Sequence, residues 1–87
     1  MATAGHTAVM IDRGAPEPLY QQLADVIRER IADGTYPPRT AIPSISRLAA
    51  EFGLSDPTVK KAITALKREG VLTGVPGRGT FVAGRSR

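Results

Sequence analysis

The stretch "GVLTGVPGRGTFV", residues 70–82 of an 87-residue chain, decides the fold. Two short runs rich in β-branched and apolar residues, at 71–73 and 80–82, flank a turn of proline, glycine and arginine at 76–79. Two β-prone runs around such a turn predict a β-hairpin. Arg78 would stand at the tip of this hairpin. A cation there adds nothing to a hydrophobic core and is well placed to meet a negatively charged partner.

Upstream of the hairpin, apolar residues recur at steps of three and four, which predicts amphipathic helices. Ser44 and Ser55 precede two of these patterns and are good N-caps. Gly34, Gly53 and Gly70 follow the patterns and are placed to end the helices. The three helices are expected within residues 16–34, 44–53 and 54–70.

The second and third predicted helices are joined by a very short connection, from Gly53 to Ser55. A connection that short, opened by a glycine, sets two helices at a steep angle, as in a helix-turn-helix. With the hairpin that follows, the chain is expected to be a winged helix-turn-helix, mainly α with a small β-hairpin. We expect this domain at residues 17–83, a flexible N-terminal tail at 1–16 and a basic C-terminal tail at 84–87.

Charge is distributed unevenly along the chain. The sequence carries 12 Lys and Arg against 8 Asp and Glu, a formal net charge of +4. Residues 1–43 carry 4 basic and 5 acidic side chains, for −1, and residues 44–87 carry 8 basic and 3 acidic side chains, for +5. A polyanionic partner for the second half is the first interpretation. A basic surface that only keeps the protein soluble is the alternative.

The sequence offers no catalytic or metal-binding constellation. It has no cysteine and one histidine, His6, and its acidic residues are scattered over predicted helix surfaces. No nucleophile–base pair or ligand cluster follows, so we expect neither an enzyme nor a cofactor. No apolar run approaches the roughly 20 residues needed to span a bilayer. We therefore expect a cytoplasmic protein with no membrane partner and no small-molecule site.

Five short motifs are distributed along the chain between Pro18 and Val82. They are "PLYQQLADVIRERIADG", "IPS", "RLAAEFGLS", "TVKKAITALKREGVL" and "GRGTFV". In this order they resemble the DNA-binding domain of the GntR family of bacterial transcription regulators. The resemblance implies sequence-specific binding of double-stranded operator DNA for transcriptional regulation, here expected to be repression. It also implies a homodimer on a palindromic site, with the third helix in the major groove and the wing on the backbone or minor groove.

The helix-turn-helix interpretation also assigns candidate site residues. The helix that enters the major groove leads with its N-terminal residues, which here carry hydroxyl and cationic side chains. The start of the preceding helix favours anions, and the hairpin tip carries an arginine. The candidate DNA-binding residues are Ser44, Arg47, Ser55, Thr58, Lys60, Lys61, Arg78, Gly79 and Thr80.

The sequence departs from the family pattern near the beginnings of the second and third predicted helices. Ile45 and Ser46 stand where family members often carry an acidic residue and an arginine, and Asp56 stands where arginine is common. Lys60 replaces another usual arginine, which keeps the charge but loses the bidentate fork that reads guanine. These departures leave open a second hypothesis, a winged helix that acts as a protein-interaction module without specific DNA readout.

Overall fold

The computed structural model describes residues 11–84, and its elements follow the predicted order. Three helices precede a two-stranded antiparallel hairpin. The winged helix-turn-helix fold expected from the sequence is therefore confirmed. The elements are α1 (Leu19–Ala32), α2 (Ile45–Phe52), α3 (Asp56–Arg68), β1 (Leu72–Val75) and β2 (Gly79–Val82).

The residues predicted to begin and end α2, and to begin α3, do so. The Ser44 side chain accepts a hydrogen bond from the Arg47 amide, and the Ser55 side chain accepts one from the Thr58 amide. Each bond satisfies an amide that the first turn of a helix leaves without a partner. At the end of α2, Gly53 adopts the left-handed conformation with φ of 67°, which glycine accepts without a Cβ clash. The chain therefore turns from α2 into α3 over a very short connection, as predicted.

The hydrophobic core lies where the three helices meet the base of the hairpin. Each helix turns one apolar stripe inward, and the hairpin adds Leu72 and Val82, which are paired across its base. α3 is the central element because it packs against α1, α2 and β1. Burial of these apolar side chains is the main stabilising contribution in so small a domain. The largest fully buried side chains are Leu23, Ile27, Leu48, Leu66, Leu72 and Val59.

A third extended segment holds the base of the hairpin. The Ile42 amide donates to the Thr80 carbonyl at 2.9 Å. The Val82 amide donates to the Thr40 carbonyl, also at 2.9 Å. The sequence predicts a very short strand at residues 40–42, and the structure confirms it as a single β-bridge to β2. These bonds fix the hairpin relative to the helices, so that it leaves the body in one direction.

The segment before α1 contacts the helical body. The Arg13 guanidinium donates to the Gly53 carbonyl, in the turn between α2 and α3. The Asp12 amide donates to the side-chain oxygen of Gln22 on α1 at 2.7 Å. Ile11 packs against the core. The N-terminal segment thus supports both α1 and the turn.

These contacts involve part of the N-terminal tail, residues 1–16, which the sequence predicts to be flexible. Residues 11–16, expected to be flexible, include the Asp12 backbone, which bonds to α1, and the Ile11 and Arg13 side chains, which contact the core and the turn. The rest of that tail, residues 1–10, and most of the basic C-terminal tail, residues 85–87, lie outside the described residues.

Arg39 is the one non-glycine residue between positions 11 and 84 with a positive φ, at 67°. For such a residue the left-handed conformation costs about 1–2 kcal/mol. The Arg39 amide donates to the Val82 carbonyl at 2.9 Å, and its side-chain methylenes pack against Gly84. These contacts hold Arg39 in a conformation that glycine would adopt without strain.

We expect Arg39→Gly to be more stable than Arg39→Ala by about 0.5–1 kcal/mol. Both variants lose the packing on Gly84, but only glycine relieves the left-handed strain, and its greater freedom in the unfolded chain offsets part of the gain. Urea unfolding of the two variants, followed by circular dichroism, measures the difference. An alanine variant as stable as the glycine variant would show that the backbone at Arg39 is not strained.

Candidate nucleic-acid interface

α3 presents a polar line on the side away from the core. Its buried stripe includes Val59 and Ile63, and the exposed line consists of Lys60, Thr64 and Lys67. These three residues are spaced by four and then three positions, so they lie one above another along about two helical turns. The exposed line thus carries one cation near the beginning of α3 and one near its end.

Lys61 is directed elsewhere, although it is next to Lys60 in sequence. Its ammonium nitrogen lies 4.4 Å from the centroid of the Tyr20 ring on α1. A cation over an aromatic face is attracted by the ring, by about 0.5–1 kcal/mol at an exposed site. Tyr20 is half-buried and packs against the core. Lys60 and Lys61, both predicted to be site residues, therefore occupy different sides of α3.

The hydroxyl groups of Ser55 and Thr58 are joined at the beginning of α3. The Ser55 Oγ accepts from the Thr58 amide at 3.3 Å and donates to the Thr58 Oγ1 at 2.9 Å. The Thr58 hydroxyl can then donate its own hydrogen to another acceptor. Asp56 is exposed in this first turn, where a negative charge suits the positive end of the helix.

The beginning of α2 supplies the second pair of predicted site residues. The Ser44 Oγ accepts from the Arg47 amide at 3.2 Å, and both residues are exposed. The Arg47 side chain borders an open surface depression together with Pro43, Ala50 and Glu51. Arg47 is therefore a surface cation close to a helix N-terminus.

The hairpin tip carries the remaining predicted residues. Val75 pairs with Gly79, so the turn consists of residues 76–78, and the Arg78 amide closes it by donating to the Val75 carbonyl at 2.9 Å. Gly79 has φ of 118°, a conformation open essentially to glycine. Arg78 is exposed, while Thr80 is half-buried. Arg78 thus projects from the domain, and Gly79 and Thr80 shape the strand that carries it.

Salt bridges remove two of the acidic residues of the basic half from its surface charge. Glu51 Oε2 lies 2.7 Å from the Arg30 Nη2, and Glu69 Oε2 lies 2.5 Å from the Arg28 Nη2. Both arginines belong to α1, so these two acids form their salt bridges with α1 and not with the cations of α2, α3 or the hairpin. Within residues 11–84, six basic residues of the second half form no salt bridge. They are Arg47, Lys60, Lys61, Lys67, Arg68 and Arg78.

The structural environment of Arg30 was not evident from the sequence. Its guanidinium lies 5.0 Å from the Phe52 ring centroid and 5.6 Å from that of Tyr36, and it donates to the Tyr36 hydroxyl at 2.7 Å. The Glu51 carboxylate, with the Tyr36 hydroxyl, raises the pKa of Arg30. Arg30 therefore ties α1 to α2 as a structural cation.

Other kinds of site are absent from the described part of the chain. Residues 11–84 contain no cluster of three or more His, Cys, Asp or Glu that could hold a metal ion. No helix in this range combines the length and apolar character needed to cross a membrane. The exposed cations on α2, α3 and the hairpin are the chemical feature that stands out.

Residues 19–82 match the model of a family described as bacterial regulatory proteins, gntR family. The chain is 42% identical to the histidine utilization repressor of Klebsiella aerogenes over 71 residues, 82% of this chain and 30% of that protein. It is 46% identical over 66 residues to the mannosyl-D-glycerate transport/metabolism system repressor of Escherichia coli (strain K12), 76% of this chain and 28% of that protein. The chain thus spans less than a third of the length of either relative.

Two solved structures are also similar to this chain in fold and sequence. YtrA from Sulfolobus acidocaldarius, a GntR-family transcription factor, superposes with a TM-score of 0.81 at 37% identity, over 90% of this chain and 82% of that chain. AraR(DBD) in complex with operator ORX1 superposes with a TM-score of 0.74 at 40% identity, over 77% of this chain and 81% of that chain.

The salt bridge between Arg28 on α1 and Glu69 at the end of α3 can be tested by titration. The Arg28 guanidinium donates hydrogen bonds to the Glu69 carboxylate, and these bonds, together with the positive charge, lower the pKa of the Glu69 carboxyl. The same contact raises the pKa of the Arg28 guanidinium. We expect Glu69 to titrate below the usual range of glutamate in an NMR titration of side-chain carboxyl carbons. The stabilisation from this pair should be present above that range and lost as the pH falls through the lowered pKa.

Arg28→Met should return the Glu69 pKa toward its ordinary value. Arg68→Met is the matched control, because it removes a cation next to Glu69 in sequence that forms no salt bridge within the described residues. An equal change in both variants would mean that general surface charge, rather than the Arg28 contact, sets the pKa.

Proposed function

Because this chain belongs to the GntR family of bacterial regulatory proteins, we propose that it is the DNA-binding module of a transcription regulator. The observation that carries the proposal is the row of unpaired cations along α2, α3 and the hairpin. Two of the three acids of the same half, Glu51 and Glu69, form salt bridges with α1. A winged helix with one uncompensated basic side has the electrostatic character of a protein that binds a polyanion.

The proposed docking mode follows the helix-turn-helix. α3 enters the major groove with Thr58 and Lys60 near base edges, where direct readout is possible. Ser44 and Arg47 at the beginning of α2 contact phosphates, as helix N-termini commonly do. Arg78 extends from the hairpin to the backbone or the adjacent minor groove. Lys61 contributes less, since its ammonium is engaged with Tyr20.

Relatives support a role in repression. Two similar curated proteins are named as repressors, and the AraR(DBD) structures are complexes with operators. We propose that this chain likewise represses genes from an operator, in the cytoplasm, and that two copies occupy a palindromic site.

A selection experiment tests the proposal directly. The chain is incubated with a pool of random-sequence duplexes, bound DNA is amplified and sequenced, and affinity for the selected site is measured by fluorescence anisotropy at several salt concentrations. We expect an enriched site and an affinity that falls steeply with salt, because bound cations displace counterions from phosphates. Absence of binding to any duplex at low salt would instead favour the protein-interaction module, which the exposed Asp56 on α3 leaves as the alternative.

Lys60 and Lys61 form a matched pair of variants. Each alanine substitution removes one positive charge from neighbouring positions of α3, but only Lys60 belongs to the exposed line. We expect Lys60→Ala to weaken binding to the selected site more than to a scrambled duplex, by about 1–3 kcal/mol if it contacts a base. Lys61→Ala should weaken both only slightly. Equal losses on both duplexes for Lys60→Ala would contradict its role as a base-reading residue.

Arg78→Ala tests the wing. Since Arg78 lies on an exposed turn next to two glycines, its contribution should be mainly electrostatic. The variant should bind selected and scrambled duplexes more weakly by similar factors, with a salt slope about one unit shallower. Loss of discrimination between the two duplexes would show instead that the wing reads the shape of the minor groove.

A further inference from the structure

The end of the Lys67 side chain occupies space beside Gly74 that a β-carbon would need. A Cβ atom added to Gly74 would lie 2.9 Å from the Lys67 Nζ and 3.1 Å from its Cε. Gly74 does not have a positive φ, so its backbone conformation is open to any residue. A side chain at position 74 would therefore displace the flexible end of Lys67, whose ammonium group lies beside the strand.

This contact forms one wall of an open cleft between α3 and the hairpin. The cleft has a volume of about 420 Å³ and is lined by Lys67 and by residues 74–77, 79 and 80 of the hairpin. None of the lining residues is acidic, and four of them are glycine or proline, so short side chains leave the ammonium accessible. Within residues 11–84 Lys67 forms no salt bridge or side-chain hydrogen bond.

We propose that Lys67, seated on Gly74, binds a backbone phosphate of DNA in this cleft. The proposal rests on the proposed function, and it adds a residue that the sequence analysis leaves out of the site. Lys67 lies seven residues after Lys60, on the same exposed line and about 10 Å further along the helix axis. When α3 lies in one groove and the hairpin reaches the next, the junction between them faces the phosphate strand that separates the two grooves.

The chemistry of the side chain suits a phosphate. A lysine ammonium is a compact point charge with three donors, which a phosphate oxygen can accept from several directions. The site contributes affinity and position on the duplex and carries no sequence information, as expected of a phosphate contact.

Four variants test the proposal. Lys67→Gln removes the charge, and Lys67→Arg retains it. Gly74→Ala retains the charge but displaces the ammonium from its seat. Arg68→Gln is the matched control, because Arg68 is the neighbouring cation of α3 and does not line the cleft. Unfolding curves of all four variants verify that each retains the fold.

The measurement is anisotropy with the selected site and a scrambled duplex, over a series of salt concentrations. Lys67→Gln should weaken binding to both duplexes by similar factors, severalfold at low salt, and make the salt slope about one unit shallower. Lys67→Arg should restore most of the slope. Gly74→Ala should weaken binding while retaining a cation, and Arg68→Gln should leave the slope closer to that of the unaltered chain.

The outcomes separate this proposal from the one on which it rests. If the unaltered chain binds no duplex, both proposals are overturned. If it binds DNA but Lys67→Gln has the same slope as Arg68→Gln, the Lys67 phosphate contact alone is overturned. If Gly74→Ala does not fold, the comparison of Lys67→Gln with Arg68→Gln still decides the result. A loss confined to the selected site would also contradict the proposal, since a phosphate contact acts on every sequence.

Discussion

The burial of one face of α3 is the constraint on which the rest of the structure depends. Its apolar stripe packs against α1, α2 and β1 at once, so the direction of the helix and its rotation about its own axis are both fixed. The line of Lys60, Thr64 and Lys67 is then presented outward as a consequence of packing. The site is therefore built from a rigid helix whose orientation the core determines, and the hairpin is fixed to the same body by the segment at 40–42.

The distribution of ion pairs explains how a modest net charge yields a strongly polarised molecule. α1 carries the arginines that bind Glu51 and Glu69, so two of the three acids of the basic half pair with α1. Exposed pairs of this kind contribute little to stability. Their larger effect is on the electrostatic potential, because they leave the cations of α2, α3 and the hairpin without salt bridges in the described residues. Long-range attraction of a polyanion depends on that separation more than on the sum of +4.

Local signals predicted the fold well, whereas contacts between distant residues could not be predicted. The serine caps, Gly53 and the proline–glycine turn act within a few residues, so the sequence places them correctly. The Lys61–Tyr20 and Lys67–Gly74 contacts depend on how elements pack, and no local pattern encodes them. The sequence places Lys60 and Lys61 together in the site because both lie near the beginning of α3. Lys67 is not in that set, since its position beside the hairpin becomes apparent only in three dimensions.

The hairpin also has an outer edge, and its composition has a consequence for association between chains. β2 is paired on both sides, whereas β1 pairs only with β2 within the described residues. An exposed strand edge is a template for pairing with a second molecule, and short length, glycine and lysine all discourage it. β1 is four residues long, with Gly74 beneath the Lys67 ammonium. The same glycine that admits the lysine therefore protects the edge, and a β-branched residue at position 74 would favour aggregation through β1.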